Sequence, residues 1–124
     1  MHVQIITFNL KGLNDEEYRY HCEAIAPAFA QLPGLVSKAW LANAETNTYG
    51  GVYLWMDRRS MEDYERSDIY GGMLANPHLE RLVARSFPVI EEATGITSNL
   101  AGTDGSETGS RLLHAPVGAA LLER

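Results

Sequence analysis

The sequence lacks several features that would place it in a particular class of protein. Its 124 residues include a single cysteine, Cys22, which excludes a disulfide bond within the chain. No apolar run approaches the roughly 18 residues that a membrane span needs. The first residues show no basic segment followed by an apolar one, as a signal peptide would. A cytoplasmic protein with no membrane partner is therefore predicted.

Positive charge is also scarce. The chain has 10 lysine and arginine residues against 16 aspartate and glutamate residues, and only Arg58 and Arg59 are adjacent. Because no basic stripe could follow a phosphate backbone, a nucleic-acid partner is not expected. The histidines and the cysteine show no spacing typical of a metal site. A small-molecule ligand bound through apolar contacts fits this composition better.

What the sequence does contain is a βαββαβ order of elements. Runs of β-branched and aromatic residues predict four strands, at 2–9, 35–43, 48–57 and 83–92. Between the first two strands, apolar residues at helical spacing predict a helix that begins after Asn14 and ends at Pro33-Gly34. This order is typical of the ferredoxin-like α+β class, an antiparallel sheet with helices on one face.

A second helical region follows the third strand. Ser60 is predicted to cap its start, because Asp63 lies three residues later, at the capping-box spacing. Gly71-Gly72 is predicted to break the region and to act as a hinge that admits ligand. A restart at Asn76-Pro77, a cap followed by proline, would place His78 in the first turn of a helix.

The third predicted strand has no polar face. One side carries Tyr49, Gly51, Tyr53 and Trp55, and the other carries Gly50, Val52, Leu54 and Met56. The helices of one subunit can cover only one face of the sheet, so the second face needs another cover. A second copy of the same sheet is the simplest one, which predicts a homodimer in the form of a dimeric α+β barrel. The alternative is a mildly apolar face left in water.

The composition changes after Thr97. Residues 101–110 are rich in glycine, serine and threonine, as in a linker, whereas residues 111–124 again carry apolar side chains. We therefore predict one domain over residues 1–99 and a linker and tail over residues 100–124. The tail either docks on the partner subunit or frays.

Four segments resemble motifs of the YdhR-like monooxygenases, within the antibiotic biosynthesis monooxygenase superfamily. They are PGLVSKAW at 33–40, GGVYLW at 50–55, SMEDY at 60–64 and FPVIEE at 87–92, the last followed by Thr94 and Thr97. The resemblance implies a dimeric α+β barrel with a pocket between the sheet and the helices of each subunit. It also implies that enzymes of this kind oxidise aromatic or quinone-like substrates, or haem, without a flavin or metal of their own.

Two polar residues are candidates for catalysis. At a helix start, the dipole disfavours the imidazolium of His78, which leaves the ring able to accept a proton. Oxygenation without a cofactor needs such a base, because the substrate must become an electron-rich anion before dioxygen reacts. Asn9 ends the first strand, where its amide could hold an oxyanion or bound dioxygen. The structural alternatives are an exposed histidine and a turn-forming asparagine.

Five aromatic residues are candidates for substrate binding: Trp40, Trp55, Tyr53, Tyr64 and Tyr70. The first three offer flat surfaces with a polar tip that can sandwich a planar ligand, and the two helix tyrosines can polarise a carbonyl group. Strand parity places Lys38 and Trp40 on one face of their strand. The alternative for all five is packing in the core or in the dimer interface.

Two functions are therefore open. The first is a cofactor-independent monooxygenase acting on a small aromatic or polyketide-like molecule in an apolar pocket between sheet and helices. The second is a non-catalytic small-molecule binding protein of the same fold, with haem as one ligand and His78 as its axial ligand. No metal and no bound cofactor are predicted, with haem as the exception.

Overall fold

The computed structural model describes residues 1–98 of the chain. The predicted linker and tail at 100–124 lie outside the described residues. Residues Met1–Val89 form one compact unit, and the described residues after Val89 belong to a second. No helix of the described residues is both long and apolar enough to cross a membrane.

The first unit combines a four-stranded antiparallel sheet with three helices. In chain order the elements are β1 His2–Leu10, α1 Asp15–Ala30, β2 Leu35–Asn43, β3 Thr48–Trp55, α2 Arg58–Glu65, α3 Asp68–Ala75 and β4 Leu79–Pro88. The strand order across the sheet is β2-β3-β1-β4. The predicted ferredoxin-like α+β fold is thus confirmed, and the first three strands lie within two residues of their predicted bounds.

Helix α1 begins where its capping residues predict. The side chain of Asn14 accepts a hydrogen bond from the backbone N–H of Glu17 at 2.8 Å, and the Glu17 carboxylate accepts one from the backbone N–H of Asn14 at 2.9 Å. Acidic side chains in the first turn add a favourable interaction with the helix dipole. Tyr18 and Phe29 are the buried residues of the helix and face the sheet.

The boundaries predicted for the second helical region were wrong. Asp57, and not Ser60, caps α2, because the Asp57 carboxylate accepts the backbone N–H of Ser60 at 2.8 Å. The break falls at Ser67, which caps α3, and α3 then continues through Gly71 and Gly72 to its end. Glycine lowers the stability of a helix interior but keeps its backbone hydrogen bonds. The helix can therefore continue through the two glycines when the neighbouring turns are stable.

His78 lies in a turn rather than at the start of a helix. Asn76 ends α3, and its side-chain oxygen accepts the backbone N–H of His78 at 2.8 Å. Asparagine forms such bonds two residues along, and this stabilises a turn instead of a new helix. Strand β4 therefore starts at Leu79, and the residues predicted to end it belong partly to another helix, α4 Glu91–Thr97. No helix starts at His78, so the predicted effect of a helix dipole on its ring does not apply.

The two faces of the sheet differ as the alternation in β3 predicts. The inner face is buried against α1 and α2, and its central side chains are Ile6, Phe8, Tyr49, Tyr53 and Trp55. The outer face carries partly exposed apolar side chains from three strands, Val3, Ile5, Val52, Leu54, Val83 and Phe87. Phe87 is 48% exposed, which is high for an aromatic residue in a strand. Within the described residues this face is therefore partly open to water.

Gly50 is required by the close approach of β1 to β3. It has a φ of +147°, and a Cβ atom there would lie 1.9 Å from the carbonyl oxygen of Ile6. An L-residue would have to push the two paired strands apart. Gly71, by contrast, sits in a helix, and a Cβ atom there would meet nothing within 4 Å.

These two glycines should respond to alanine in opposite directions. Gly50→Ala should lower the free energy of unfolding by more than about 3 kcal/mol, because the strand pair cannot relax without losing hydrogen bonds. Gly71→Ala should raise it by about 0.5–1 kcal/mol, because alanine favours the helix and has room. Urea unfolding followed by circular dichroism measures both. Equal effects of the two substitutions would contradict this assignment.

Candidate functional site

A cavity of about 240 Å³ lies between the inner face of the sheet, α1 and α3. Its lining is mainly apolar and aromatic and includes Tyr18, Phe29, Lys38, Trp40, Tyr53 and Met73. Ligand sites are commonly concave, apolar and supplied with a few polar groups, so this cavity is the candidate site. Its volume lies just below the usual range of about 300–1,000 Å³, which suits a ligand of one or two rings.

Two of the five predicted aromatic residues line the cavity. Trp40 packs edge-to-face against Phe29, with ring centres 5.1 Å apart at an angle of 75°. Tyr53 is almost fully buried, with 2% of its surface exposed. Each therefore presents a fixed ring surface to the cavity, because neighbouring rings hold it in place.

Trp55, a predicted substrate-binding residue, does not line the cavity, because its ring is fully buried and stacked on Tyr53. The two rings are stacked, with centres 6.0 Å apart and an angle of 5° between their planes. The indole N–H of Trp55 donates to the side-chain oxygen of Gln4 at 3.0 Å. The Gln4 amide in turn donates to Glu65 at 2.9 Å. Trp55 is thus a core residue whose polar atom is satisfied, and it does not line the cavity.

Tyr64 and Tyr70 also lie behind the cavity wall. The hydroxyl groups of Tyr53 and Tyr64 are 3.2 Å apart, and the Tyr70 ring contacts the Tyr64 ring edge-on at 5.2 Å. Burial raises the pKa of Tyr64 to about 12 and also raises the pKa of Tyr70. Both phenols therefore stay protonated at neutral pH, and Tyr64 helps to hold Tyr53 in place.

The two polar candidates are separated from the cavity. Asn9 follows the inward-facing Phe8, so strand parity turns its side chain to the outer face, where it donates to the carbonyl oxygen of Asn47 at 2.6 Å and accepts from Arg81 at 2.7 Å. His78 is exposed, and its Nδ1 atom donates to the carbonyl oxygen of Lys11 at 2.8 Å. Neither side chain lines the cavity.

Lys38 is the polar residue that the structure brings to the cavity in their place. Its Nζ atom lies 3.3 Å from the ring centre of Trp40, 3.7 Å from that of Phe29 and 4.6 Å from that of Tyr53. Among residues 1–98, no carboxylate forms an ion pair with this amine. Burial lowers the pKa of Lys38 to about 7. A free amine is therefore available near neutral pH.

The sequence held one signal for this placement, the shared strand face of Lys38 and Trp40. Gly51 makes the placement possible, because a Cβ atom there would lie 2.8 Å from Cε of Lys38. That distance is too short for two carbon atoms, so only glycine leaves the lysine stem its present path. The two adjacent glycines thus have different roles. Gly50 allows the close approach of the β1 backbone, and Gly51 leaves room for the side chain of Lys38.

The other lining groups with a shifted pKa hold their protons more tightly. Burial raises the pKa of the Cys22 thiol, and burial likewise raises the pKa of the Tyr18 and Tyr53 phenols. Desolvation disfavours the charged form in each case, which for a lysine favours the neutral amine. Lys38 is therefore the group among these that can accept a proton.

The residues of the cavity do not fit a metal ion or a haem as arranged. Within residues 1–98, no group of three or more histidine, cysteine, aspartate or glutamate side chains could hold a metal ion. A haem macrocycle is larger than a cavity of about 240 Å³. His78, the predicted axial ligand, lies outside the lining.

Comparison with known proteins gives a family and a fold. The family model described as "Putative mono-oxygenase ydhR" matches residues 3–100 of the chain. A comparison with curated protein sequences finds no significant match.

Three solved structures illustrate the likeness in fold. The NE2512 protein of unknown function from Nitrosomonas europaea superposes with a TM-score of 0.62 at 12% identity, covering 72% of this chain and 88% of that chain. A mutant of SnoaB, a cofactor-independent oxygenase from Streptomyces nogalater, gives 0.58 at 16% identity, covering 73% and 93%. A mutant of MhuD with two manganese protoporphyrin IX bound per active site gives 0.58 at 18% identity, covering 73% and 95%.

Removing the amine of Lys38 should stabilise the protein in a pH-dependent way. The unfolded chain keeps a lysine pKa near the ordinary 10.5 while the folded chain has one of about 7, so the unfolded state binds more protons between these values and wild-type stability rises with pH. Lys38→Met should therefore raise the free energy of unfolding by about 1–3 kcal/mol at pH 6, with a difference that shrinks towards pH 10.

Two measurements check this expectation. Urea unfolding at several pH values compares the wild type with Lys38→Met and with Lys11→Met, which removes the other, exposed lysine of the chain. Carbon-13 NMR of the two lysine Cε atoms should show one signal that titrates near pH 7 and disappears in Lys38→Met. A Lys38→Met variant with the same stability profile as the wild type would contradict the assignment.

Proposed function

Since the chain belongs to the ydhR mono-oxygenase family, we propose that it is a cofactor-independent monooxygenase acting on a small aromatic or polyketide-like molecule. The observation that carries the proposal is the apolar cavity with aromatic walls and one amine. Its walls suit a planar ring system, and the amine suits proton removal from it. SnoaB, which shares the fold, is a cofactor-independent oxygenase, and this likeness in fold agrees with the proposal.

The proposed chemistry has a simple balance. A base removes an acidic proton, and the resulting electron-rich anion reduces dioxygen and forms a carbon–oxygen bond. For an anthrone, the CH₂ group becomes a carbonyl group, one oxygen atom of O₂ enters the product, and the other leaves as water with the two hydrogen atoms. The protein supplies the base, holds the ring, and keeps bulk water from the anion.

The binding-protein alternative uses the same cavity without turnover. Helix α3 has no buried residue and forms one wall through Gly72 and Met73, so it is the wall most easily displaced by a larger ligand. A haem would need such a displacement. Tight binding of a ligand without oxygen consumption is the result that separates this alternative from the enzyme.

We further propose that the protein is a homodimer paired through the outer face of the sheet. Val52 and Leu54 lie at the centre of this face, beside Val3 and Ile5 of the neighbouring strand. An apolar face across several strands is unfavourable in water, and an identical face on a second copy covers it with closed two-fold symmetry.

A charge placed on the outer face should weaken the dimer. Leu54→Lys should raise the dimer dissociation constant at least tenfold, because the cation loses its hydration on pairing. Tyr20→Lys, at a helix residue that is 78% exposed, is the matched control and should leave the mass unchanged. Analytical ultracentrifugation measures the mass. A monomeric wild type, or a Leu54→Lys variant that stays dimeric, would count against the proposed pairing.

Oxygenase activity should depend on the space in the cavity. Gly72 lines it, and a Cβ atom there would meet nothing within 4 Å, so Gly72→Leu should fill the cavity without disturbing α3. We expect at least a tenfold loss of kcat/KM, whereas Gly71→Leu on the adjacent helix position should retain activity.

The assay is oxygen consumption with a panel of naphthols, quinols and anthrones, supported by mass spectrometry of products formed under ¹⁸O₂. The reference rate is that of each compound with heat-denatured protein. Consumption that never exceeds this reference for any compound would refute the monooxygenase proposal.

A further inference from the structure

We propose that the amine of Lys38 is the proton acceptor and counter-ion of the cavity, which takes a ligand with an acidic hydroxyl group, a phenol or an enol, as its oxyanion. This inference rests on the proposed function only in taking that ligand to be the substrate. Binding and ionisation of the hydroxyl group can be measured without any turnover.

The amine of Lys38 has no counter-ion within the described part of the chain. The Nζ atom of Lys38 lies over the ring faces of Phe29, Trp40 and Tyr53 at 3.7, 3.3 and 4.6 Å. Ring faces attract a cation, but they carry no net charge and cannot neutralise it. Because no carboxylate within residues 1–98 pairs with the amine, an anion in the cavity would supply the interaction that the protein lacks.

The protonation state of Lys38 also suits a ligand with an acidic hydroxyl group. Near neutral pH a substantial fraction of the Lys38 amine is free, since burial lowers its pKa to about 7. A bound phenol donates its O–H proton to the Nζ lone pair, which gives a phenolate and an ammonium group. No electron is transferred and no other reactant is needed. The ion pair then forms beside aromatic walls, where the attraction between charges is stronger than in water.

Four other titratable side chains line the cavity, and three of them keep their protons. From α1 they are Tyr18, His21 and Cys22, and from β3 the group is Tyr53. Burial raises the pKa of both phenols and of the thiol, so these three groups keep their protons. His21 is exposed at the rim, and the lining residues of α3 carry no titratable side chain.

The pairing of β2 with β3 sets the position of the Lys38 side-chain stem. Lys38 is paired with Tyr53 across β2 and β3, while Trp40 is paired with Gly51. The stem passes over Gly51, which brings the amine above Trp40 and into the cavity. Gly51→Ala would crowd Cε and move the amine while its chemical identity stays the same, which separates position from presence.

The test uses 4-nitrophenol, a single-ring probe whose phenolate is yellow and whose protonated form is not. At pH 6, where the free probe is mainly protonated and Lys38 mainly carries its proton, the ammonium group acts as the counter-ion, so binding to the wild type should produce the phenolate band. Its apparent ionisation constant should rise at least tenfold on binding. Lys11→Met should behave as the wild type, Lys38→Met should lose the band, and Gly51→Ala should show a weaker one.

The non-ionisable probe 4-nitroanisole reports on the cavity itself. It should bind to Lys38→Met as tightly as to the wild type, which shows that the cavity is intact in the variant. The proposal is overturned if the wild type binds 4-nitrophenol in its protonated form or not at all. It is also overturned if Lys38→Met produces the same phenolate band, or loses 4-nitroanisole binding together with the band.

The outcomes for this proposal and for the monooxygenase are distinct. A Lys38-dependent phenolate band without oxygen consumption by any compound of the panel supports the anion site and refutes the oxygenase. Oxygen consumption that survives Lys38→Met supports the oxygenase and refutes Lys38 as its base.

Discussion

The ring of Tyr53 is a contact that the sheet shares with both α1 and α2. It is stacked on Trp55 within β3, lies 6.3 Å from Phe29 of α1 and 5.4 Å from Tyr64 of α2, and is 2% exposed. Removing it would loosen the packing between β3 and both helices at once, because the ring contacts an aromatic side chain of each. The same ring forms a wall of the cavity. The wall that Tyr53 forms is therefore held in place by the core.

An aromatic core of this kind also sets the electrostatics of the site. Buried phenols are weak acids that stay neutral, so the tyrosines provide surface and hydrogen bonds but no charge. The amine of Lys38 is the exception, since it lies in the same layer without a carboxylate partner among the described residues. A layer that cannot neutralise a cation favours either a free amine or an anionic ligand, and both states are useful for removing a proton from an aromatic substrate.

Much of the fold followed from local patterns, whereas the site followed only in part. Alternation in β3 predicted both sheet faces, because side chains repeat every two residues whatever the tertiary context. Asn76-Pro77 is a pattern typical of a helix start, yet here the same residues form a turn, and only the hydrogen bond to His78 decides between the two. The alternation of side chains along β1 alone places Asn9 on the face opposite the cavity. Lys38 could not have been selected, because a strand lysine is ordinarily solvent-exposed and only packing reveals its surroundings.

The motif segments at 33–40 and 50–55 become one unit once β2 and β3 pair. Their register sets Trp40 opposite Gly51 and Lys38 opposite Tyr53, so Lys38, Trp40 and Tyr53 line the same side of the cavity. The intervening residues point to the opposite face, where Val52 belongs to the surface proposed to pair with a second subunit. Successive residues of β3 thus face the cavity and the proposed dimer surface in turn. Pairing at the dimer surface would restrict the backbone that also carries the cavity residues, which couples the two faces. Dimer formation would thereby hold Lys38 and Trp40 in the geometry that an anionic ring requires.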